Sequence, residues 1–268
     1  MNRYFKILFL ISIIFLGSCS GNSERKEQAA QLVAKAQSLV DAHRYDSALV
    51  VLDTLNIKYR DGLDERREGT LVRLQALSSL TRDSLAAAEI KLRGVETEIN
   101  DLAPQFKKID IAGTEGYYVN KAIYSGSEMN ATGLQVRIDE QGYCFVVANV
   151  QGKKIGLNRI VLGNVSTPPV KSVSVEGSEI MSVTQEPAQP LLDALSNAAG
   201  KATVVLEGSK GKASVTLSPK QTEAIGATWR YAKALQERRA LNIKLEKLER
   251  QLARLSDQLA NQIPVPED

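Results

Sequence analysis

The stretch SPKQTEAIGATWRYAKALQERRALNIKLEKLERQLARLSDQLANQ, residues 218–262, decides the fold of this chain. Ser218 is suited to cap a helix, Pro219 to occupy its first turn, and Gln221 to complete a capping box. A helix is therefore predicted to begin here and to run until Pro264 stops it, a length of about 66 Å at roughly 1.5 Å per residue. Its leucines recur at alternating steps of three and four, which is the pattern of a heptad seam. This seam consists of Leu241, Leu245, Leu248, Leu252, Leu255 and Leu259.

A second seam with the same spacing lies earlier in the chain. It consists of Leu85, Ala88, Leu92, Val95, Ile99, Leu102 and Phe106. The two helices bracket one β region and must begin and end at the same place on it, so they are predicted to form an antiparallel pair. The predicted fold class is α+β, with an N-terminal helical bundle and a β-rich domain inserted between two antiparallel coiled-coil-like helices.

Residues 108–217 have a β pattern, in which valine, isoleucine and tyrosine alternate with polar residues between glycine-bearing breaks. The predicted strands are Tyr117–Tyr124, Leu134–Asp139, Tyr143–Val150, Lys171–Glu176, Ile180–Gln185, Ala202–Glu207 and Ala213–Leu217. One short helix is predicted near Pro190–Ala199. The long C-terminal helix, residues 218–263, follows the last strand.

Residues 27–107 have apolar residues at helical spacing, which predicts a helical region. Interruptions at Arg44-Tyr45-Asp46, Asp61-Gly62 and Thr81-Arg82-Asp83 divide this region into about four helices. The breaks place the loops of the predicted N-terminal bundle.

One of these breaks resembles a tetratricopeptide repeat. In Arg44-Tyr45-Asp46-Ser47-Ala48-Leu49 a Tyr-Asp turn precedes an alanine, as at the start of the second helix of such a repeat, where the alanine permits close helix packing. Arg82-Asp83-Ser84-Leu85-Ala86 is similar and follows at close to the repeat period of about 34 residues. Two degenerate copies predict a small bundle with a repeat-like hairpin rather than a long solenoid.

The N-terminus has the charge and hydropathy pattern of an export signal. Arg3 and Lys6 supply positive charge, the apolar run Ile7–Leu16 follows, and the small residues Gly17-Ser18 lead into Cys19. The apolar run is about half the length that a helix needs to cross a hydrocarbon core of roughly 30 Å. The pattern therefore predicts an exported chain rather than a permanent transmembrane anchor at this segment.

The segment Leu16-Gly17-Ser18-Cys19 also resembles the lipobox of bacterial lipoproteins. This resemblance implies that residues 1–18 are a cleaved signal peptide and that Cys19 is lipidated, which would attach the protein to a membrane of the bacterial envelope. The alternative is an ordinary signal peptide with an incidental cysteine. Residues 19–26 are predicted to be a short polar tether. Ser20, rather than aspartate, follows the cysteine, which favours the outer membrane, on its periplasmic or surface face.

The overall charge is close to neutral and gives no sign of a nucleic-acid partner. The formal charge is +3 for the whole chain, and Arg3 and Lys6 account for two of these charges while residues 1–18 contain no acidic residue, so the remainder carries +1. Proteins that bind nucleic acids are typically strongly basic on one face.

Two side chains are candidates for chemistry, and we interpret both as structural. Cys144 is the only free thiol once Cys19 is lipidated, and it lies in the apolar segment Tyr143–Ala148, which predicts an inert buried cysteine. His43 is the only histidine and lies beside a helix break, so it cannot build a multi-histidine zinc site. No phosphate-binding glycine motif occurs at a strand-to-helix turn. No catalytic residue, cofactor or metal site is therefore predicted.

The predicted function is non-enzymatic, a membrane-anchored interaction or assembly module. In the antiparallel pair Leu85 reaches only to about Leu245, which leaves the distal half of the last helix unmatched. The unmatched leucines are Leu248, Leu252, Leu255 and Leu259. They are candidates for an internal contact with the N-terminal helices or for binding a protein partner or a second copy of the chain.

The alternative function is binding of a small ligand or glycan through the β domain, and an enzyme of unknown type ranks third. A glycan site would need at least two aromatic side chains on one exposed surface. The candidates are Tyr117, Tyr118, Tyr124, Tyr143 and Phe145.

Overall fold

The fold is α+β, as predicted, with long helices before and after two antiparallel sheets. The computed structural model describes residues 20–111, 114–124, 129, 131–198 and 200–262. They form two compact units. The first contains the described residues up to Glu89 and from Lys244 onward, and the second runs from Ile90 to Ile243.

Among the described residues, three helices precede the strands, one interrupts them and one follows. The helices are α1 (Ser20–Asp41), α2 (Tyr45–Lys58), α3 (Leu63–Leu102), α4 (Gln185–Ser196) and α5 (Pro219–Ala260), and a 3-10 turn, Ala103–Gln105, follows α3. The strands are β1 (Phe106–Ile111), β2 (Thr114–Asn120), β3 (Gly133–Asp139), β4 (Cys144–Gln151), β5 (Leu157–Leu162), β6 (Val165–Ser166), β7 (Val173–Val175), β8 (Ser178–Thr184), β9 (Ala202–Gly208) and β10 (Gly211–Leu217).

In the first unit, α1 and α2 form a hairpin against which the start of α3 packs. Their shared core consists of Ala29, Val33, Ala36, Leu52, Leu55 and Val72. Ala48, in the repeat-like segment, is fully buried. A Cβ atom on Gly69 of α3 would lie only 2.6 Å from Leu55 Cδ2, so the absence of a side chain there lets α3 approach α2 closely.

Helix α3 continues through Thr81-Arg82-Asp83, where a break was predicted. Thr81 is buried, its hydroxyl donates to the Leu77 carbonyl at 2.7 Å, and it accepts a hydrogen bond from Gln251 Nε2 at 3.3 Å. These bonds satisfy the polar side chain within the helix. The N-terminal region therefore has three helices rather than four, and the second repeat-like segment, Arg82–Ala86, starts no helix of its own.

The second unit contains both sheets. The larger has six strands in the order β1-β2-β3-β4-β8-β7, and the smaller has four in the order β10-β9-β5-β6. Val136 pairs with Val146, and Val146 with Val183, which puts these buried side chains on one face of the larger sheet. Helix α4 contacts β4 and β8 of the larger sheet and β5 and β6 of the smaller one, so its apolar side chains join the two cores.

Three strands were missed by the sequence pattern: β1, β5 and β6. In β5 the buried residues Leu157 and Ile160 are three apart and the others are half-buried, so the period-two alternation of a strand is absent. Phe106 continues the heptad spacing of α3. Pro104 lies in the turn that ends the helix, however, and Phe106 pairs with Asn120 as the first residue of β1.

Helix α5 begins with the predicted capping box. The Ser218 N–H donates to Gln221 Oε1 at 2.9 Å, and the Gln221 N–H donates to Ser218 Oγ at 3.3 Å. Residues 224–229 are all buried, so protein surrounds this part of the helix on every side.

Within the second unit, α3 and α5 run antiparallel, as predicted. Lys91 Nζ lies 2.6 Å from Glu237 Oε1. Further along the chain from Lys91, Phe106 stacks on Tyr231, which precedes Glu237 in α5, with the ring centroids 4.3 Å apart. The order of the two contacts is reversed between the chain segments, which is the mark of an antiparallel pair.

Candidate functional site

The predicted lipidation site, Cys19, and the predicted signal peptide, residues 1–18, lie outside the described residues. Helix α1 begins at Ser20, so the residues of the predicted tether from 20 to 26 are helical. Cys19 is therefore one peptide bond away from the N-terminal end of α1. Over the described residues, no helix combines the length and the hydropathy needed to cross a membrane.

The four unmatched leucines of α5 are partly covered within the first unit. Leu255 is 7% exposed, and Leu248, Leu252 and Leu259 are half-buried. The Gln251 side chain on this segment bonds to Thr81 of α3, which shows that the two helices lie side by side here. The leucines therefore do not present an open apolar stripe.

The turn between α2 and α3 packs against the first turns of α1. Arg25 donates to the Lys58 carbonyl at 3.3 Å and lies 3.8 Å from the Asp61 carboxylate. The Tyr59 hydroxyl donates to Gln28 Oε1 at 3.0 Å. These contacts hold residues 58–62 at the end of the hairpin where α1 begins.

Two large aliphatic side chains flank this turn and face solvent. Ile57 is 68% exposed at the end of α2, and Leu63 is 75% exposed at the start of α3. Val50 lies seven residues before Ile57, so it shares the same face of α2 two turns away, and it is 65% exposed. We call Ile57 and Leu63 the hairpin-end patch.

The charges around the hairpin-end patch are balanced. Residues 24–27 and 57–64 contain four cationic and four acidic side chains. Asp61 faces Arg25, as described above. The patch is therefore apolar in an electrically neutral setting.

Strand β7 is an edge strand of the larger sheet with an apolar face. It pairs with β8 on one side, Val173 facing Ile180 and Val175 facing Ser178. Val173 and Val175 are both exposed, and they lie on the same face because they are two residues apart. An exposed strand edge can pair with an added strand.

A groove of about 620 Å³ runs beside the end of α4 and the first turns of α5. Its lining includes Ser196, Gly200 and Gly226, and Arg230 and Lys233 contribute exposed cationic side chains. Lys233 Nζ also lies 5.1 Å from the centroid of the Trp229 ring. Glu223 also lines the groove, so the lining carries charges of both signs and suits a small polar molecule.

The aromatic residues of the β domain do not form an exposed platform. Tyr143 is exposed, Tyr117 is buried, and the other three are half-buried. The guanidinium carbon of Arg137 lies 4.3 Å from the centroid of the Tyr117 ring, and Phe145 meets that ring edge-on. Burial raises the pKa of the Tyr117 hydroxyl and lowers the pKa of the Arg137 guanidinium. The ring of Tyr117 therefore packs against protein rather than offering a surface for a sugar.

Cys144 is buried, as predicted, and burial raises the pKa of its thiol from 9.0 to about 12. His43 lies in the α1–α2 turn at φ +57°, where its Nδ1 is 2.6 Å from the Tyr45 hydroxyl. Within the described ranges, no group of three or more His, Cys, Asp or Glu side chains could hold a metal ion.

Sequence reasoning missed the hairpin-end patch and the exposed edge of β7. The signal for the first was present, because Val50 and Ile57 are offset by two residues from the buried positions Ala48 and Leu55 and so belong to the opposite face of α2. The strand that contains β7 was predicted, as Lys171–Glu176, but its place at the edge of the sheet depends on tertiary pairing that local sequence does not show.

No protein-family model, no curated protein and no solved structure matches this chain.

Proposed function

We propose that this protein is a lipoprotein of the bacterial cell envelope, attached through Cys19, that acts as a non-enzymatic interaction or assembly module. The observation that carries the proposal is the segment Leu16-Gly17-Ser18-Cys19 at the end of an export-signal pattern. Ser20 after the cysteine favours the outer membrane.

The partner is a protein, and the edge of β7 is the surface we assign to it. Val173 and Val175 supply exposed apolar side chains, and the unpaired edge of a strand supplies backbone donors and acceptors in a fixed direction. Backbone pairing gives affinity and the two valines give side-chain selectivity. The covered leucines of α5 then serve as an internal seam.

Site-specific crosslinking in intact cells tests this assignment. A photoreactive amino acid at Val173 is expected to yield one discrete crosslinked protein, because the side chain is exposed beside the free edge. The matched control is Thr216, which is exposed on β10, the edge strand of the other sheet. Equal crosslinking from both positions, or from neither, contradicts the role of β7.

The groove between α4 and α5 favours a second candidate function, binding of a small anionic ligand such as an acidic sugar. Arg230 and Lys233 would pair with the acid, and the Glu223 carboxylate of the same lining would accept hydrogen bonds from the sugar hydroxyls. Thermal shift with glucuronate tests it: a rise in Tm for the wild type that Arg230→Ala and Lys233→Ala both remove supports binding. An unchanged wild-type Tm contradicts binding of that sugar.

A further inference from the structure

We propose that Ile57 and Leu63, the hairpin-end patch, insert into the lipid surface to which Cys19 is attached. This inference rests on the proposed lipidation of Cys19. It assigns a second membrane contact, made by folded protein, that would fix the orientation of α1 on the membrane.

The position of the patch carries the inference. Cys19 is bonded to Ser20, the first residue of α1, and the first turns of this helix hold the α2–α3 turn. Arg25, which contacts both Lys58 and Asp61, is five residues into the helix, a distance of about 7.5 Å along its axis. The lipid anchor and the patch are thus at the same end of the hairpin.

The exposure of the patch fits a lipid surface. Ile57 and Leu63 are among the most exposed large aliphatic side chains of the described residues, at 68% and 75%. Two such side chains would bind a membrane weakly by themselves. Attachment through Cys19 makes their contact intramolecular, which raises their effective concentration at the surface without any further interaction.

The geometry predicts how α1 lies on the membrane. Arg25, which contacts the turn, is about 7.5 Å along α1 from Ser20, so with α1 upright the turn would stand away from the surface by a distance of this order. Side chains of interfacial segments reach about 5–10 Å into the boundary between headgroups and acyl chains. The patch therefore reaches this layer when α1 tilts so that the α2–α3 turn faces the membrane.

The balanced charge near Ile57 and Leu63 indicates apolar insertion rather than electrostatic attraction to anionic lipid. The two segments that meet at the turn, residues 24–27 and 57–64, contain four cationic and four acidic side chains, so they carry no net charge to attract anionic lipid. Insertion is therefore expected to be as strong on vesicles of zwitterionic phosphatidylcholine as on vesicles that contain anionic phosphatidylglycerol.

The test uses the mature lipidated protein reconstituted in phosphatidylcholine vesicles, with single tryptophan substitutions and bromine-labelled lipid as quencher. Ile57→Trp and Leu63→Trp report on the patch. Val50→Trp is the matched control. Val50 has nearly the same exposure and lies on the same face of α2, but it is two helical turns away from the α2–α3 loop. Trp229 is buried in the second unit and gives the same background in every variant.

We expect at least about twofold more quenching by brominated lipid at positions 57 and 63 than at position 50. If the protein floats with the vesicles but positions 57 and 63 are quenched no more than position 50, the proposal that the patch inserts is wrong. Lipidation of Cys19 is not contradicted by that result. Protein that carries no lipid and does not float overturns both proposals. Contact of the patch with a second copy would instead appear as quenching that is equal at all three positions, together with chemical crosslinks between chains.

Discussion

Glu179 on β8 accepts a hydrogen bond from the backbone N–H of Leu157, the first residue of β5, at 3.1 Å. The same carboxylate accepts two more, from the N–H groups of Ile155 at 2.9 Å and Gly156 at 3.1 Å. Strand β8 belongs to the larger sheet and β5 to the smaller one. One buried side chain therefore ties the two sheets together at the loop that joins them.

Replacing Glu179 with alanine is expected to destabilise the second unit strongly. Three backbone N–H groups would lose their acceptor, and leaving a buried donor unpaired costs roughly 1–3 kcal/mol each. Urea unfolding measures the loss in the free energy of unfolding. Ser182→Ala, at an exposed position of the same strand, is the control and should be nearly neutral. A near-neutral Glu179→Ala would show that water replaces the carboxylate.

Gly142→Ala is expected to be more destabilising than Gly152→Ala. Gly142 has φ +91°, and a Cβ there would lie 2.9 Å from Leu235 Cβ of α5, whereas Gly152 has φ +74° and no atom within 4 Å of such a Cβ. Both variants incur the cost of a left-handed alanine, about 1–2 kcal/mol. The difference between the urea midpoints of the two variants therefore measures the cost of the clash between the added Cβ at position 142 and Leu235 of α5. Equal midpoints would mean that α5 moves aside at no cost.

The stability of the protein is expected to fall as the pH rises above about 9, in part through Cys144. Burial, with a smaller contribution from Asp139, raises the pKa of this thiol from 9.0 to about 12 in the folded state. Between pH 9 and pH 12 the thiol therefore stays protonated in the folded state and ionises in the unfolded state. The free energy of unfolding decreases by roughly 1 kcal/mol per pH unit in this range. Below pH 9 the thiol is protonated in both states, so ionisation of Cys144 does not lower the free energy of unfolding.

Unfolding free energies measured between pH 8 and pH 11 check this slope. Cys144→Ala should show a shallower decrease than the wild type, because it lacks the titrating group. In the wild type at pH 8, the thiol should react slowly with iodoacetamide until denaturant is added. Fast labelling of the native protein would contradict burial of the thiol.

Leu255→Asp is expected to destabilise the first unit by about 3 kcal/mol, because a carboxylate would be forced into a buried position. Ala253→Asp, at an exposed position two residues earlier, should change the free energy of unfolding by less than about 0.5 kcal/mol. Thermal unfolding followed by circular dichroism compares the two. A Leu255→Asp variant that keeps its Tm but loses a self-associated state would make the leucines a site for a second copy.

Patterns that depend on local sequence predicted most of the fold. The capping box of Ser218 and Gln221 and the heptad leucines predicted α5, and alternating valines predicted β3, β4 and β8. The pattern failed where a tertiary partner decides the outcome. The segment at Thr81 was predicted to break the helix, but Gln251, 170 residues away in the sequence, donates a hydrogen bond to the Thr81 hydroxyl and the helix continues.

The candidate surfaces were less predictable than the fold. Cys19 and the leucines of α5 could be proposed as sites from the sequence because motifs and heptads are local. Ile57 and Leu63 matter only because the α2–α3 turn packs against the start of α1, and that contact runs through Arg25 and Tyr59, whose partners are more than thirty residues distant in sequence. Sequence spacing alone carries no information about such a contact.

The central claim is that Cys19 is lipidated, and mass spectrometry of the mature N-terminus tests it most directly. The protein purified from its native membrane is expected to begin at Cys19, with the cysteine carrying a diacylglyceryl thioether and the mass of its acyl chains. Cys19→Ala should remain unprocessed and unlabelled by a fatty-acid probe. A wild-type protein that begins at another residue, or whose Cys19 is a free thiol, would contradict the account.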